Sequence, residues 1–242
     1  MAQVINTNVA ALFAGAALNK SALALQTAQQ RLSSGLRINS AKDDPTGMVI
    51  ATGYDSQIRG ANQAARNAND GISSAQINDG YHQQILENLQ RLREIAVQSG
   101  GTIAAGNKEA VALVAENTRI LLLASNTGSV VVNSNGGTVA GVGTKATLAS
   151  TATDTVANYD TDIAAVTAAR ASYGADMATF QSAINTLQLQ SVNESAAYSR
   201  VMDTDYAAET TAMTRNNILQ QAGTAVLAQA NQTPNTVLTL LR

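Results

Sequence analysis

At 242 residues and 45% apolar content the chain could make one or two domains, but only 3% of it is aromatic, it has no Trp, and Ala is its commonest apolar residue. Small side chains bury little surface each, which excludes a thick core and suits thin, closely packed helices. A formal charge of −2 from 15 basic and 17 acidic residues gives no electrostatic reason to expect nucleic acid or an anionic membrane as partner, and zero cysteines exclude disulfides, thiolate chemistry and Cys-ligated metals.

Residues 1–30 contain one charge, Lys20, and lack the basic start and compact Leu-rich block of a secretory signal. No uninterrupted run of about 18 apolar residues is present, so no membrane span is expected. Ala11, Ala14, Leu18, Ala22, Leu25 and Leu32 recur at steps of three, four or seven, which predicts a helix that Gly35 ends. Lys42-Asp43-Asp44-Pro45 reads as a break and restart, with the aspartates as caps rather than a metal pair. From Ile58 the series Ala61, Ala65, Ala68, Ile72, Ala75, Leu86, Leu89 and Ala96 predicts one helix of about 50 residues, stopped by Gly100-Gly101. A shorter helix over 107–124 follows, with Val111, Val114, Thr118 and Leu121 on one face.

Between 126 and 157 the pattern changes to Val130-Val131-Val132, Asn135-Gly136-Gly137 and Thr138-Val139-Ala140, a β-hairpin with its turn. Dense Ser and Thr make this the expected exposed, weakly packed tip. Ile163, Val166, Arg170, Tyr173, Met177, Phe180, Ile184, Leu187, Ser191, Glu194, Tyr198 and Val201 then keep four-three spacing, the signature of a coiled-coil seam. A helix over 158–202 would be roughly 65 Å long at about 1.5 Å per residue. Asp203-Thr204-Asp205 can cap a last helix bearing Met213, Leu219, Ala222, Val226 and Ala230, expected to end at Pro234.

The predicted fold is all-α: a long-helix coiled-coil rod (42–205) with a small β-hairpin tip, and paired terminal helices (1–41 and 206–242). Residues 206–242 hold only Glu209, Arg215 and Arg242, so residues 1–30 and 206–242 together have four charges where the chain average of 13% would give about nine. A surface helix usually has a charged outer face. Segments without one are expected to gain their cover from other copies of the chain.

Little in the sequence could perform chemistry. His82 is the single histidine, which argues against a two-histidine metal site or an HExxH helix, and its place beside Asp79 suggests a polar surface or interface role. No GxxxxGK[ST] or GxGxxG loop is present. Glu194 sits on the seam, where polar residues set register or meet a partner. No enzyme activity, catalytic residue, metal or cofactor is expected.

At this point the residues resemble bacterial flagellin. MAQVINTN at 1–8, RLSSGLRINSAKDD from Arg31 to Asp44, RNANDGIS from Arg66 to Ser73 and LQRLREIAVQS from Leu89 to Ser99 are similar to its amino-terminal half. DTDYAAETTAMTRNNILQQAGTAVLAQANQ from Asp203 to Gln232 and the closing VLTLLR are similar to its carboxyl terminus. NVAALFAGAALNK and DDPTGMVIA, the latter with Pro45, depart from commoner flagellins. Only 126–157 stands where most of the family has large outer domains, and the metalloprotease motif of some members is absent from it.

The resemblance implies terminal helices that line a hollow filament, order with their neighbours and are disordered in the free subunit; Leu18, Leu25, Leu32, Leu219, Ala222, Ala225 and Val226 are the candidate assembly residues. It implies a thin, smooth extracellular filament for swimming, export through the flagellar type III apparatus, and as partners an export chaperone, the filament cap and hook-associated proteins. It also implies detection by a vertebrate Toll-like receptor through Gln90, Arg91, Glu94, Ile95 and Gln98, with Glu116 on the adjacent helix. O-glycosylation would fall on the tip hydroxyls Ser129, Ser134, Thr138, Thr144, Thr147, Ser150, Thr151 and Thr153. The rival readings are a hook–filament junction protein, an enzyme, and a membrane-active protein, whose helices should be rich in Lys and Arg on the polar face.

Overall fold

Two capping residues set the limits of the first helix in the computed structural model. α1 (Val9–Ser34) starts where the Asn8 side chain accepts the Ala11 N–H, and ends where Gly35, at φ +72°, returns its N–H to the Arg31 carbonyl. The structure describes residues 7–124, 130–131, 138–139, 143 and 145–240, with the backbone alone at 130–131, 138–139 and 233–240.

Asp43 accepts from the Ser40 hydroxyl and from the Ser40 and Asn39 N–H groups, and these bonds, the hydroxyl's foremost, hold its carboxyl below the usual range. Asp44 accepts from the Gly47 N–H in the first turn of α2 (Pro45–Gln98), so the two aspartates are turn and cap residues. After α2, Gly100 and Gly101 at φ +83° and +104° reverse the chain. Asn107 caps α3 (Lys108–Leu123). Two short strands, β1 (Val130–Val131) and β2 (Thr138–Val139), pair antiparallel as Val130↔Val139 and Val131↔Thr138. The turn expected at Asn135-Gly136-Gly137 lies outside the described residues. α4 (Val156–Met202) and α5 (Tyr206–Leu240), the latter capped by Asp205, complete the chain.

One helix end was misplaced by the sequence reading: α5 continues through Pro234 to Leu240. A proline inside a helix removes the hydrogen bond to the carbonyl four residues back. Here that carbonyl, of Ala230, finds another donor in the Asn8 amide at 2.8 Å.

The chain divides into two compact units, Met1–Tyr54 with Ala196–Arg242, and Asp55–Ser195. The terminal unit is larger than the expected 1–41 and 206–242 because Ile38, Ala51 and Met202 form a small core of their own, edged by Leu36, Tyr198 and Val201. Backbone bonds from Arg37 N–H to the Met202 carbonyl and from Thr204 N–H to the Gly35 carbonyl fasten it.

In the unit Asp55–Ser195, α2 buries Ala61, Ala64, Ala68, Gly71, Ala75, Asn78, His82, Ile85, Leu89, Leu92 and Ala96, an unbroken three-four series. Against it lie Val166, Tyr173, Phe180, Ile184 and Leu187 of α4. The α4 seam follows the sequence pattern. On α2 the expected Ala65, Ile72 and Leu86 are half-buried at the margin, one position from the seam centre. Gly71 is central because of its size: a Cβ there would stand 3.0 Å from the Phe180 ring. Glu194 is half-buried, with one oxygen bonded to Gln190 and the other enclosed without a hydrogen-bond partner among the described residues.

His82 is not a surface residue. It is fully buried, 5.1 Å from the Tyr173 ring in an edge arrangement, and both nitrogens are engaged. Nε2 accepts the Ala146 N–H at 3.1 Å, so the proton belongs on Nδ1, which faces the Asn78 carbonyl at 2.8 Å. Buried Asp162 accepts from the Ala149 and Ser150 N–H groups and the Ser150 hydroxyl, and the Tyr159 hydroxyl donates to the Thr151 carbonyl. The 145–155 segment, expected to be weakly packed, is thus held down by buried polar groups.

Burial depresses the His82 pKa below its ordinary 6.5, with Arg170 acting in the same direction and the Asn78 carbonyl and Asp79 opposing. A histidine kept neutral by the fold binds fewer protons than in the unfolded chain. Its contribution is therefore complete above about pH 6.5 and is lost as pH falls below that value towards the folded pKa. We expect the thermal midpoint of this unit to fall between pH 7.5 and 5, and the slope to flatten in His82→Gln. Identical slopes for the two proteins would rule the histidine out.

Candidate assembly surface

The terminal helices pack on each other through an unusual seam. On α1, Ala14, Ser21 and Ala28 are buried and Leu18, Leu25 and Leu32 half-buried between them, a heptad series. On α5 the matching series is Met213, Asn216, Gln220, Gly223, Leu227 and Ala230, mostly polar or small. The helices come close at Gly223, where a Cβ would meet the Leu18 Cδ1 at 3.2 Å.

This seam leaves the large apolar side chains outside. Phe13 is 78% exposed, Leu12 and Leu23 66%, Ile218 60% and Val226 54%. Of the candidate assembly residues, Leu18, Leu25 and Leu32 join the pair, whereas Leu219, Ala222, Ala225 and Val226 are exposed on α5. The α1 stripe matched the sequence reading apart from Ser21 in place of Ala22. Of the α5 stripe, Met213 and Ala230 lie in the seam, whereas Leu219, Ala222 and Val226 face outwards. Beside the seam runs a groove of about 720 Å³ lined by Phe13, Ala17, Ala24, Leu219, Ala222 and Val226, with Lys20 as the one charged residue among the described lining residues.

Electrostatics add little here. Arg31 and Glu209 stand 3.8 Å apart, partly exposed, a geometry that contributes about 0–1 kcal/mol. By length and composition α1 is apolar enough to cross a membrane, which the count of uninterrupted apolar residues missed. Its apolarity is mainly Ala, and Asn19, Lys20 and Ser21 interrupt its middle. Among the described residues no cluster of His, Asp or Glu could hold a metal ion.

The expected receptor face is largely on the surface: Gln90, Arg91, Glu94 and Gln98 are exposed and Glu116 is half-buried. Ile95 is not part of it, being 4% exposed and packed in the core, since it falls one residue off the Arg91–Glu94–Gln98 line and onto the buried side. Arg91 bridges two helices, at 2.7 Å from Glu109 and 3.1 Å from Glu94, contacts that raise its pKa, Glu109 first. Glu116 pairs with Arg119 at 2.6 Å, which lowers the Glu116 pKa.

Of the tip hydroxyls, Thr147, Thr151 and Thr153 are exposed. Ser150 is not a free hydroxyl: it donates to Asp162. Thr138 lies in β2, and Ser129, Ser134 and Thr144 fall outside the described residues.

Comparison with known proteins covers nearly the whole chain. A family model described as the bacterial flagellin N-terminal helical region matches residues 5–120, and one described as the C-terminal helical region matches 156–241. A flagellin of Xenorhabdus nematophila is 37% identical over 313 aligned positions that span all of both chains. The flagellar filament 31.3 kDa core protein of Treponema maltophilum is 32% identical, covering 99% of this chain and all of its own. A flagellin of Salmonella rubislaw is 59% identical over 102 residues, 42% of this chain and 21% of its own length.

Proposed function

The chain belongs to the bacterial flagellin family and is a structural subunit of the flagellar filament, and from this we propose that α1 and α5 together form its assembly element and that it carries no enzyme activity. The observation that supports this reading is the exposed apolar surface of a nearly uncharged helix pair, with a groove sized for side chains of adjacent copies. Neighbouring subunits cover Phe13, Leu219 and Val226, and the pair lies towards the inside of the filament. The chain reaches the extracellular filament through the flagellar type III route, with a chaperone shielding α5 beforehand and the cap and hook-associated proteins meeting the same helices. Seeded polymerisation followed by sedimentation and electron microscopy tests the core of this. Filaments that lengthen with added protein support it; rings of fixed size would point to a junction protein, and a chain that stays soluble would refute assembly altogether.

Detection by a Toll-like receptor through the exposed part of the α2 face belongs to the same proposal. The Arg91→Asp variant is expected to lower receptor activation at least ~10-fold, the scale of an interface anchor worth about 2 kcal/mol. Because it also sets three carboxylates together with Glu94 and Glu109, Arg91→Ala is the control for loosened α3 packing. If activation and polymerisation are both undiminished in Arg91→Asp, this residue has no part in either interface.

A further inference from the structure

Proline has no N–H to donate, so a helix that runs through Pro234 leaves the Ala230 carbonyl without its usual partner four residues on. The Asn8 Nδ2 donates to that carbonyl at 2.8 Å, across 222 residues of sequence. The other end of the same amide, Oδ1, accepts the Ala11 N–H at 3.0 Å and caps α1. Asn8 is half-buried and Ala230 buried. An Asn side chain suits both tasks because its planar amide has an acceptor and a donor; Asp would lack the donor and Ser the reach.

We propose that Asn8 is a positioning residue for assembly, one that fixes the lengthwise register of α1 against α5. The seam it completes specifies register poorly by itself. Ala14, Ser21 and Ala28 on α1 are small and spaced by one heptad, as are Gly223 and Ala230 on α5, so a slide of seven residues would bring small side chains together again. A single polar contact is the device that selects among such equivalent registers. The register in turn decides whether Phe13 and Ala17 stand opposite Leu219 and Val226, and so whether the groove presented to neighbouring copies exists.

This inference rests on the filament reading, and four proteins separate the two: the natural chain, Asn8→Ser, Pro234→Ala and the double variant. Asn8→Ser keeps an equally good helix cap but cannot reach α5. Pro234→Ala gives α5 its own donor for the Ala230 carbonyl. Loss of this hydrogen bond in Asn8→Ser is expected to raise the critical concentration for polymerisation about five- to tenfold. Pro234→Ala alone and the double variant should both stay within about twofold of the natural chain, because the carbonyl no longer depends on Asn8. A purely local role in capping α1 predicts no rescue. The inference is overturned by an Asn8→Ser chain that polymerises normally, or by a deficit that persists in the double variant. Should the natural chain itself fail to polymerise, the filament reading falls and this inference falls with it, whereas an Asn8→Ser chain that polymerises normally overturns the inference and leaves the filament reading standing.

Discussion

Deleting residues 206–242 is expected to abolish filament formation while the unit Asp55–Ser195 keeps its helix content and its own melting transition; deleting residues 1–35 should do the same. Among the described residues the core of that unit draws on α2, Ile103, α3, the 145–155 segment and α4. The terminal helices have the opposite arrangement. Within the chain they bury little beyond Ala14, Ser21, Ala28 and Ala230, and their larger side chains face outwards. If four of those side chains are buried on assembly at about 1.5 kcal/mol each, losing them raises the critical concentration ~10⁴-fold, beyond any workable protein concentration. Removing one helix also strips the other of its seam, so the two truncations should be equally severe. Circular dichroism and sedimentation after seeding measure both sides of the claim. Pelleted filaments from either truncated chain would place the assembly surface elsewhere.

The long helices were legible because their stops and periods are local. Gly35, Asp43-Asp44-Pro45, Gly100-Gly101 and Asp203-Thr204-Asp205 each act through a neighbour a few residues away, and the α4 seam repeats one spacing over most of its length. What could not be read depends on contacts distant in sequence. His82 looks like an isolated polar residue until Ala146 is brought to its Nε2, and Asp162 gains its purpose from Ala149 and Ser150. Pro234 looks like a helix end because nothing nearby shows that Asn8 accounts for the carbonyl it frees. On α5 the periodic apolar positions mixed two faces, Met213 and Ala230 in the seam and Leu219, Ala222 and Val226 outside it. Large apolar residues normally mark the inner face of a helix, but in a subunit built to polymerise the most hydrophobic face can belong to the next molecule. The scarcity of charge at both ends was the better guide, since it does not depend on which neighbour provides the cover.

Ala225→Glu is expected to block polymerisation and leave the single chain nearly unchanged. In the chain by itself Ala225 is exposed, between the exposed Ala222 and Val226 of the groove wall, so a carboxylate there remains in water. A surface substitution of this kind alters stability by no more than about 0.5 kcal/mol. Once a neighbouring copy covers the groove the same carboxylate must leave water, and the segment offers few cations to meet it: α5 has Arg215 ten residues earlier, and α1 has Lys20 and Arg31. An unpaired buried carboxylate costs several kcal/mol; at about 4 kcal/mol the critical concentration rises roughly a thousandfold. Ala225→Ser adds polarity and little bulk without charge, and should polymerise within about tenfold of the natural chain because a hydroxyl can find a backbone acceptor in the preceding turn. The contrast between the two variants, measured as pelleted protein after seeding alongside the thermal midpoint of the soluble chain, sets a small polar side chain against a long charged one at the same covered position. A normal filament yield from Ala225→Glu would mean that this face of α5 stays solvated in the filament.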